Sequence, residues 1–242
     1  MKHGNDLGQA VGAPVEGWVT RPWPPRAAMI GRFCRVEPLS ELHAVDLYAA
    51  NGLDVDGRNW TYLGVGPFID LEGYRAWVAS VVPGEDPLFH AIIDVATGKA
   101  VGVATFMRIE PKHGVIEVGH LNFSPALQRT PAATEAMFLM MRRAFDELGY
   151  RRYEWKCDSL NAPSRRAAER LGFVYEGTFR QAMIYKGRSR DTAWFSIIDS
   201  EWPALKAAYE SWLAPGNFDS SGQQRHSLGS LMAGARANPS SP

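Results

Sequence analysis

Between Glu117 and Arg180 the sequence brings a candidate anion site close to several groups able to move protons. The segment Ser124–Pro125–Ala126–Leu127–Gln128–Arg129–Thr130 leads from a strand directly into the N-terminus of a long helix. The first turn of a helix leaves backbone amides without intrahelical partners and carries the positive end of the helix dipole. Together with the Arg129 side chain, it suits a phosphate or pyrophosphate. The small side chains of Ala132 and Ala133 would let such a group approach closely. The same residues also fit an ordinary capped loop with Arg129 in water, and local sequence leaves both readings open. The runs Arg142–Arg143, Arg151–Arg152 and Arg165–Arg166 with Arg170 read as solvated faces, from which one or two guanidiniums could reach a further phosphate. His113, His120 and Cys157 have no metal-ligand spacing, so no metal is expected. Cys157 falls on the apolar side of a strand, where a thiol is unreactive.

The elements that must position these groups alternate between strand and helix. The chain has 242 residues, 45% of them hydrophobic and 21% charged, which suits one well-buried domain with tails. Lys plus Arg and Asp plus Glu each number 26, so no overall basic field exists to hold nucleic acid or an anionic membrane. No run of about 18 apolar residues occurs and the N-terminus lacks the apolar core of a signal peptide, so a soluble, cytoplasmic protein is expected. Two distant cysteines, Cys34 and Cys157, exclude a disulfide framework.

Met29–Glu37 reads as a strand, followed by a helix from Glu41 to Ala50 capped by Ser40, and by a second helix near Leu71–Val82. Leu88–Val95, Lys99–Ile109 and Val115–Phe123 form an antiparallel meander. A helix capped by Thr130, with Pro131 in its first turn, runs to Gly149 on a stripe of Ala133, Met137, Met140, Met141, Ala144 and Leu148. Arg151–Cys157 alternates, with Tyr153, Trp155 and Cys157 turned inward and Arg152, Glu154 and Lys156 turned outward. A short helix from Asn161 to Leu171, strands Phe173–Tyr185 and Thr192–Ile198, and a helix Glu201–Trp212 complete the order βααβββαβαββα. The class is α/β (α+β), a mixed, mostly antiparallel sheet flanked by helices. Residues 1–26 read as an irregular arm and 214–242 as an irregular tail in which Asn217 and Phe218 dock locally, leaving 27–213 as the folded domain.

The segment Asn161 to Arg180 has the form N-x-x-S-x-x-x-x-x-x-L-G-F-x-x-E-G-x-x-R. With the element order over roughly residues 28–200 it resembles the GNAT acyl-CoA N-acetyltransferase superfamily, in its RimJ/RimL-type ribosomal-protein N-acetyltransferase branch. The resemblance implies a sheet splayed between the parallel strands Val115–Phe123 and Arg151–Cys157, with the pantetheine arm of acetyl-CoA lying in the gap against Leu121, Asn122 and Phe123. It implies a pyrophosphate on Gln128, Arg129, Thr130, Ala132, Ala133 and Thr134, although Pro131 stands where the family loop has its first glycine and removes one amide donor. Asn161 would hydrogen-bond the pantetheine, cap its own helix, or do both.

Acetyl transfer to an amine needs a neutral nucleophile, a polarised carbonyl and a proton for the thiolate. By resemblance Glu117 collects the ammonium proton, directly or through water, or else is a structural partner of a nearby arginine. Ser164 or Tyr185 would protonate the thiolate, with Tyr175 a further candidate; each also has a plain packing or capping reading. Strand alternation puts His120 on the face opposite Glu117. Asn59–Tyr62, Phe68, Trp77, Phe89 and Tyr185 form an aromatic collection around the acceptor, an amine-bearing small molecule or peptide N-terminus. No nucleic-acid or membrane partner is expected, and a homodimer is allowed. A non-catalytic acyl-CoA sensor or scaffold is the competing reading.

Overall fold

A computed structural model describes residues 3–237. Its main sheet has eight strands: β3 (Met29–Ile30), β4 (Cys34–Pro38), β5 (Leu88–Asp94), β6 (Ala100–Glu110), β7 (Val115–Phe123), β8 (Arg152–Asp158), β10 (Arg188–Ile198) and β9 (Val174–Tyr185), in that spatial order. A separate two-stranded ribbon, β1 (His3–Gly4) and β2 (Ala10–Val11), lies in the N-terminal arm. Neighbours in the large sheet are antiparallel except β7 and β8.

Helices cover both faces. On one side α1 (Ala44–Asn51) and α2 (Leu71–Val81) close a core of Leu47, Trp60, Tyr74, Val78, Phe89, Ala91 and Ile93. On the other, α3 (Pro131–Arg142) and α5 (Trp202–Leu213) pack with Leu88, Ile92, Phe106, Ile116, Tyr153 and Phe195. The alternate residues of β5 therefore feed two cores, which is why that strand reads as a continuous apolar run. The chain leaves β8 through α4 (Ala162–Arg170) before forming the β9–β10 hairpin.

The first expected strand is broken. Met29 and Ile30 fold back on Val36 and Arg35, and the turn between them is held by Glu135 of α3. That buried carboxylate accepts the amides of Arg32, Phe33 and Cys34 at 2.8, 2.6 and 2.8 Å. Gly31 is required there, since a Cβ would come within 2.4 Å of the carboxylate. The long central helix also differs from a uniform α-helix: Arg143–Glu147 widens into a π-turn, with the Leu148 amide donating to the Arg143 carbonyl, before Gly149 ends it at φ +70°.

Both ends are tied to the body. The Trp18 indole donates to the Lys112 carbonyl at 2.9 Å, and Arg26 donates to the carbonyls of Val82, Pro83 and Gly84. The tail is not irregular throughout. Phe218 packs on Trp212 and Phe33, the Asn217 amide bridges the Trp212 and His226 carbonyls, and α6 (Leu228–Ala237) docks with Leu228 2% and Met232 6% exposed. Leu228, Leu231 and Met232 share one helical face, a signal diluted by the Gly and Ser residues around them. Among the described residues no helix is long and apolar enough to cross a membrane.

Candidate active site

The parallel pairing of β7 and β8 runs from Val115 opposite Arg152 to Val118 opposite Trp155 and goes no further, although β7 continues to Phe123 and β8 to Asp158. On its other edge β7 carries a bulge against β6 between Gly119 and Asn122, and His120 takes φ +46°. Such a bulge sharpens local twist and turns a strand away from its neighbour. A cavity of about 480 Å³ opens where the strands part, lined among others by Glu117, His120, Leu121, Lys156, Asn161, Ser164 and Tyr185.

The bulge overturns simple alternation: His120 faces the same cavity as Glu117. Its ring lies against Phe89 at the open mouth, and the surrounding protein and the Arg108 charge lower its pKa.

Glu117 is 4% exposed. Lys156 Nζ stands 2.8 Å from Glu117 Oε2 and 2.7 Å from Glu154 Oε2, and Arg108 Nε lies 3.3 Å from Glu117. Arg152 extends the chain of charges by holding Glu154 and Glu176. Burial raises the Glu117 pKa, and the attraction and hydrogen bond of Lys156 oppose that rise. The expected outward face of β8 is thus buried too, because its charges neutralise one another beneath Trp194, whose ring lies 3.7 Å from Lys156 Nζ.

On the far side of the gap, Asn161 Oδ1 caps α4 by accepting the Ser164 amide at 3.1 Å. Ser164 Oγ accepts the Trp155 indole N–H at 3.0 Å and lies against the Cys157 thiol, to which its hydroxyl can donate. Tyr185 donates to Asp158 Oδ2 at 2.8 Å, and burial and that carboxylate push its phenol up to about 12. Burial also raises the Cys157 thiol, which removes it as a nucleophile.

The helix-entry loop is ordered by its own side chains. Gln128 donates to the Phe123 carbonyl and to Asn59 Oδ1, and Asn59 donates to the same carbonyl. Thr130 caps α3 through the Ala133 amide. The Gln128 and Thr130 amides bond within the loop, whereas those of Arg129 and Ala132 have no backbone partner among the described residues. Arg129 is exposed at φ +62°. Arg170 donates to the buried Thr134 hydroxyl at 3.1 Å and so stands over the start of α3. Asn122 is buried with both ends of its amide unpartnered. Leu121 lines the cavity, while Ala132 and Ala133 pack into the core beneath the loop.

The structure therefore gathers Glu117, Ser164, Tyr185, Asn161 and Leu121 around one cavity and sets residues 128–134 beyond its end. Of the aromatic collection, Asn59, Tyr62 and Tyr185 reach the cavity, whereas Phe68, Trp77 and Phe89 belong to the core under α2. Sequence reasoning missed Lys156, Asp158, Arg190, Thr192 and Trp194. Thr192 and Trp194 alternate with Ala193, Phe195 and Ile197, the one signal of a distinct strand face available in the sequence.

Comparison with known proteins agrees with this geometry. The sequence profile of the acetyltransferase (GNAT) domain matches residues 35–174. A crystal structure of a GCN5-related N-acetyltransferase from Brucella melitensis is 50% identical, with a TM-score of 0.88 over 90% of this chain and all of that one. A structure from Chromobacterium violaceum, described as a probable acetyltransferase of the GNAT family, is 42% identical, with a TM-score of 0.74 over 80% of this chain and 96% of its own. The uncharacterised N-acetyltransferase p20 of Bacillus licheniformis is 26% identical over 145 residues, 58% of this chain and 80% of that protein. With more than half of its length matched by the domain profile and nine-tenths of it shared with a half-identical relative, this chain belongs to the GNAT family of acetyl-CoA-dependent acyltransferases.

Proposed function

We propose that the protein moves an acetyl group from acetyl-CoA to a primary amine by direct attack of the bound amine, with no acyl-enzyme intermediate. The observation that carries this reading is the parting of β7 and β8 beyond Val118 and Trp155, with a buried carboxylate at its floor. Acetyl-CoA, when bound, supplies the activated acyl group and a thiolate leaving group.

This chain's own residues supply the rest. The free amides of Arg129 and Ala132, the Arg129 and Arg170 guanidiniums and the dipole of α3 would hold the phosphates, with Gln128 and Thr130 keeping the loop in shape. The Asn161 amide nitrogen and the backbone of Leu121, Asn122 and Phe123 would hold the pantetheine. Glu117 takes the ammonium proton, directly or through water, since burial holds its carboxyl above the ordinary range. Ser164 and Tyr185 both keep a hydroxyl proton at neutral pH, which makes them the candidates to protonate the departing thiolate. The motif Asn161–Arg180 supports the RimJ/RimL-type branch and a peptide N-terminus or small-molecule amine as acceptor; a cytoplasmic setting, in keeping with only two distant cysteines, is part of the same proposal.

Steady-state thiol release from acetyl-CoA across an amine panel tests the reading. Glu117→Gln should lower the rate by about 10²–10⁴-fold with acetyl-CoA affinity kept. The deficit should shrink as pH nears the acceptor's own pKa, because the amine then arrives deprotonated. Parallel profiles with a lower melting temperature would make Glu117 a structural residue instead.

A further inference from the structure

One wall of the cavity is built from alternate residues of β10: Arg190, Thr192 and Trp194. Thr192 and Trp194 stand directly opposite Asp158 and Lys156 of β8, which fixes the face they share. Each of the three carries a buried polar atom with no hydrogen-bond partner among the described residues: Arg190 Nε, Thr192 Oγ1 and Trp194 Nε1. Thr192 is 5% exposed, so its hydroxyl is not satisfied by bulk water. Buried polar groups normally find partners, and these three orphaned atoms belong to residues that line the cavity.

The charges around the cavity point the same way. Of the three cations that line it, Arg108 and Lys156 lie within 4 Å of Glu117. Among the described residues Arg190 has no carboxylate that close. The nearby Asp158 already accepts the Tyr185 hydroxyl and the Leu160 amide, both at 2.8 Å. Arg190 is also half-buried, its guanidinium 5.8 Å from the Tyr185 ring, in a setting where an unpaired charge is unfavourable. A planar guanidinium with no carboxylate of its own matches a ligand carboxylate, which takes two parallel hydrogen bonds from arginine.

We propose that the acceptor amine itself carries a carboxylate, as an α-amino acid does, and that Arg190 holds that carboxylate while the amine faces Glu117. The inference rests on the acetyl-transfer reading above and narrows its acceptor to a small zwitterion in preference to a peptide N-terminus. The cavity of about 480 Å³ must take the end of the pantetheine as well, which favours a small acceptor over a long one. Phe179, its ring centroid 4.6 Å from that of Trp194 and tilted against it, and Met183 give its carbon chain an apolar surface.

The test compares amino acids with the corresponding amino acid amides, following thiol release from acetyl-CoA. Wild-type kcat/KM should favour the acid of its preferred pair by about 10- to 100-fold, the scale of a lost charge-assisted contact. Arg190→Gln should narrow that ratio to within about threefold, Arg190→Lys should keep part of it, and Arg190→Glu should reverse it. Calorimetry of N-acetyl amino acids against their amides, with coenzyme A present, reads the same preference without turnover. Equal turnover of acid and amide, or faster turnover of peptide N-termini than of amino acids, overturns the carboxylate site and leaves acetyl transfer standing. Arg190-dependent binding of the N-acetyl acids without turnover of any amine keeps the carboxylate site and removes the transfer reading. No preference in either assay overturns the proposal.

Discussion

Replacing Lys156 by methionine removes the cation shared by Glu117 and Glu154, which face each other across β7 and β8. Lys156 is itself 5% exposed, and methionine fills much of the same volume, so the change is chiefly one of charge. Two buried carboxylates would then share only Arg108, on the exposed side, and Arg152, already engaged with Glu176. Breaking a buried pair by removing one partner costs about 3–5 kcal/mol, which in a chain of this size lowers the melting temperature by roughly 10 °C. The pH dependence gives the sign. Burial already raises Glu117 and Lys156 is its main opponent, so without Lys156 the folded-state pKa climbs further above the unfolded value. The folded variant then binds a proton that the unfolded chain has released, and its deficit should shrink as pH falls from 7 towards 5. Denaturant unfolding at the two pH values measures this directly. The double variant Glu117→Gln with Lys156→Met should regain more than half of the loss, since no uncompensated charge remains at position 117. A Lys156→Met protein within about 1 kcal/mol of wild type at pH 7, with no pH dependence, would refute the coupling.

Two further expectations concern the scaffold. Deleting the chain from Ser227 onward removes the buried Leu228 and Met232 side chains and should lower stability by about 2–4 kcal/mol, seen as a melting temperature several degrees lower; an unchanged melting curve would mean that α6 contributes nothing. His90 is fully buried, and desolvation, with the Arg143 charge, holds its pKa at about 4 against a backbone contact at Leu88. Below about pH 6.5 the unfolded chain takes up a proton that the folded one refuses until about pH 4, so stability falls across that window. His90→Leu should lessen the loss between pH 7 and pH 4 by about 3 kcal/mol; identical pH profiles for variant and wild type would show that His90 does not govern acid sensitivity.

The strongest local signals in the sequence became structure: the capped, striped helix α3, the alternation of β8, the meander of β5–β7, and the Asn161–Arg180 segment that carries the family resemblance. What escaped it depends on contacts between distant residues. Glu135 lies about a hundred positions from the amides it binds, and nothing in Met29–Glu37 announces the turn it imposes. His120 reached the cavity only because β7 bulges, a break in period that alternation cannot reveal. Lys156 looked solvated because its strand neighbours are charged, yet those same charges let it be buried. The alternation of Thr192 and Trp194 was readable, but their lack of partners is a property of the folded cavity.

The most direct test of the site is amide hydrogen exchange with and without acetyl-CoA. If the donor lies in the gap between β7 and β8 with its phosphates over α3, exchange should slow in residues 119–124, 128–134 and 156–161. The N-terminal ribbon β1–β2 and helix α6 should be unchanged, since neither borders the gap. Protection confined to other segments, or none at saturating acetyl-CoA, would contradict the placement of the acetyl donor at the parting of the strands.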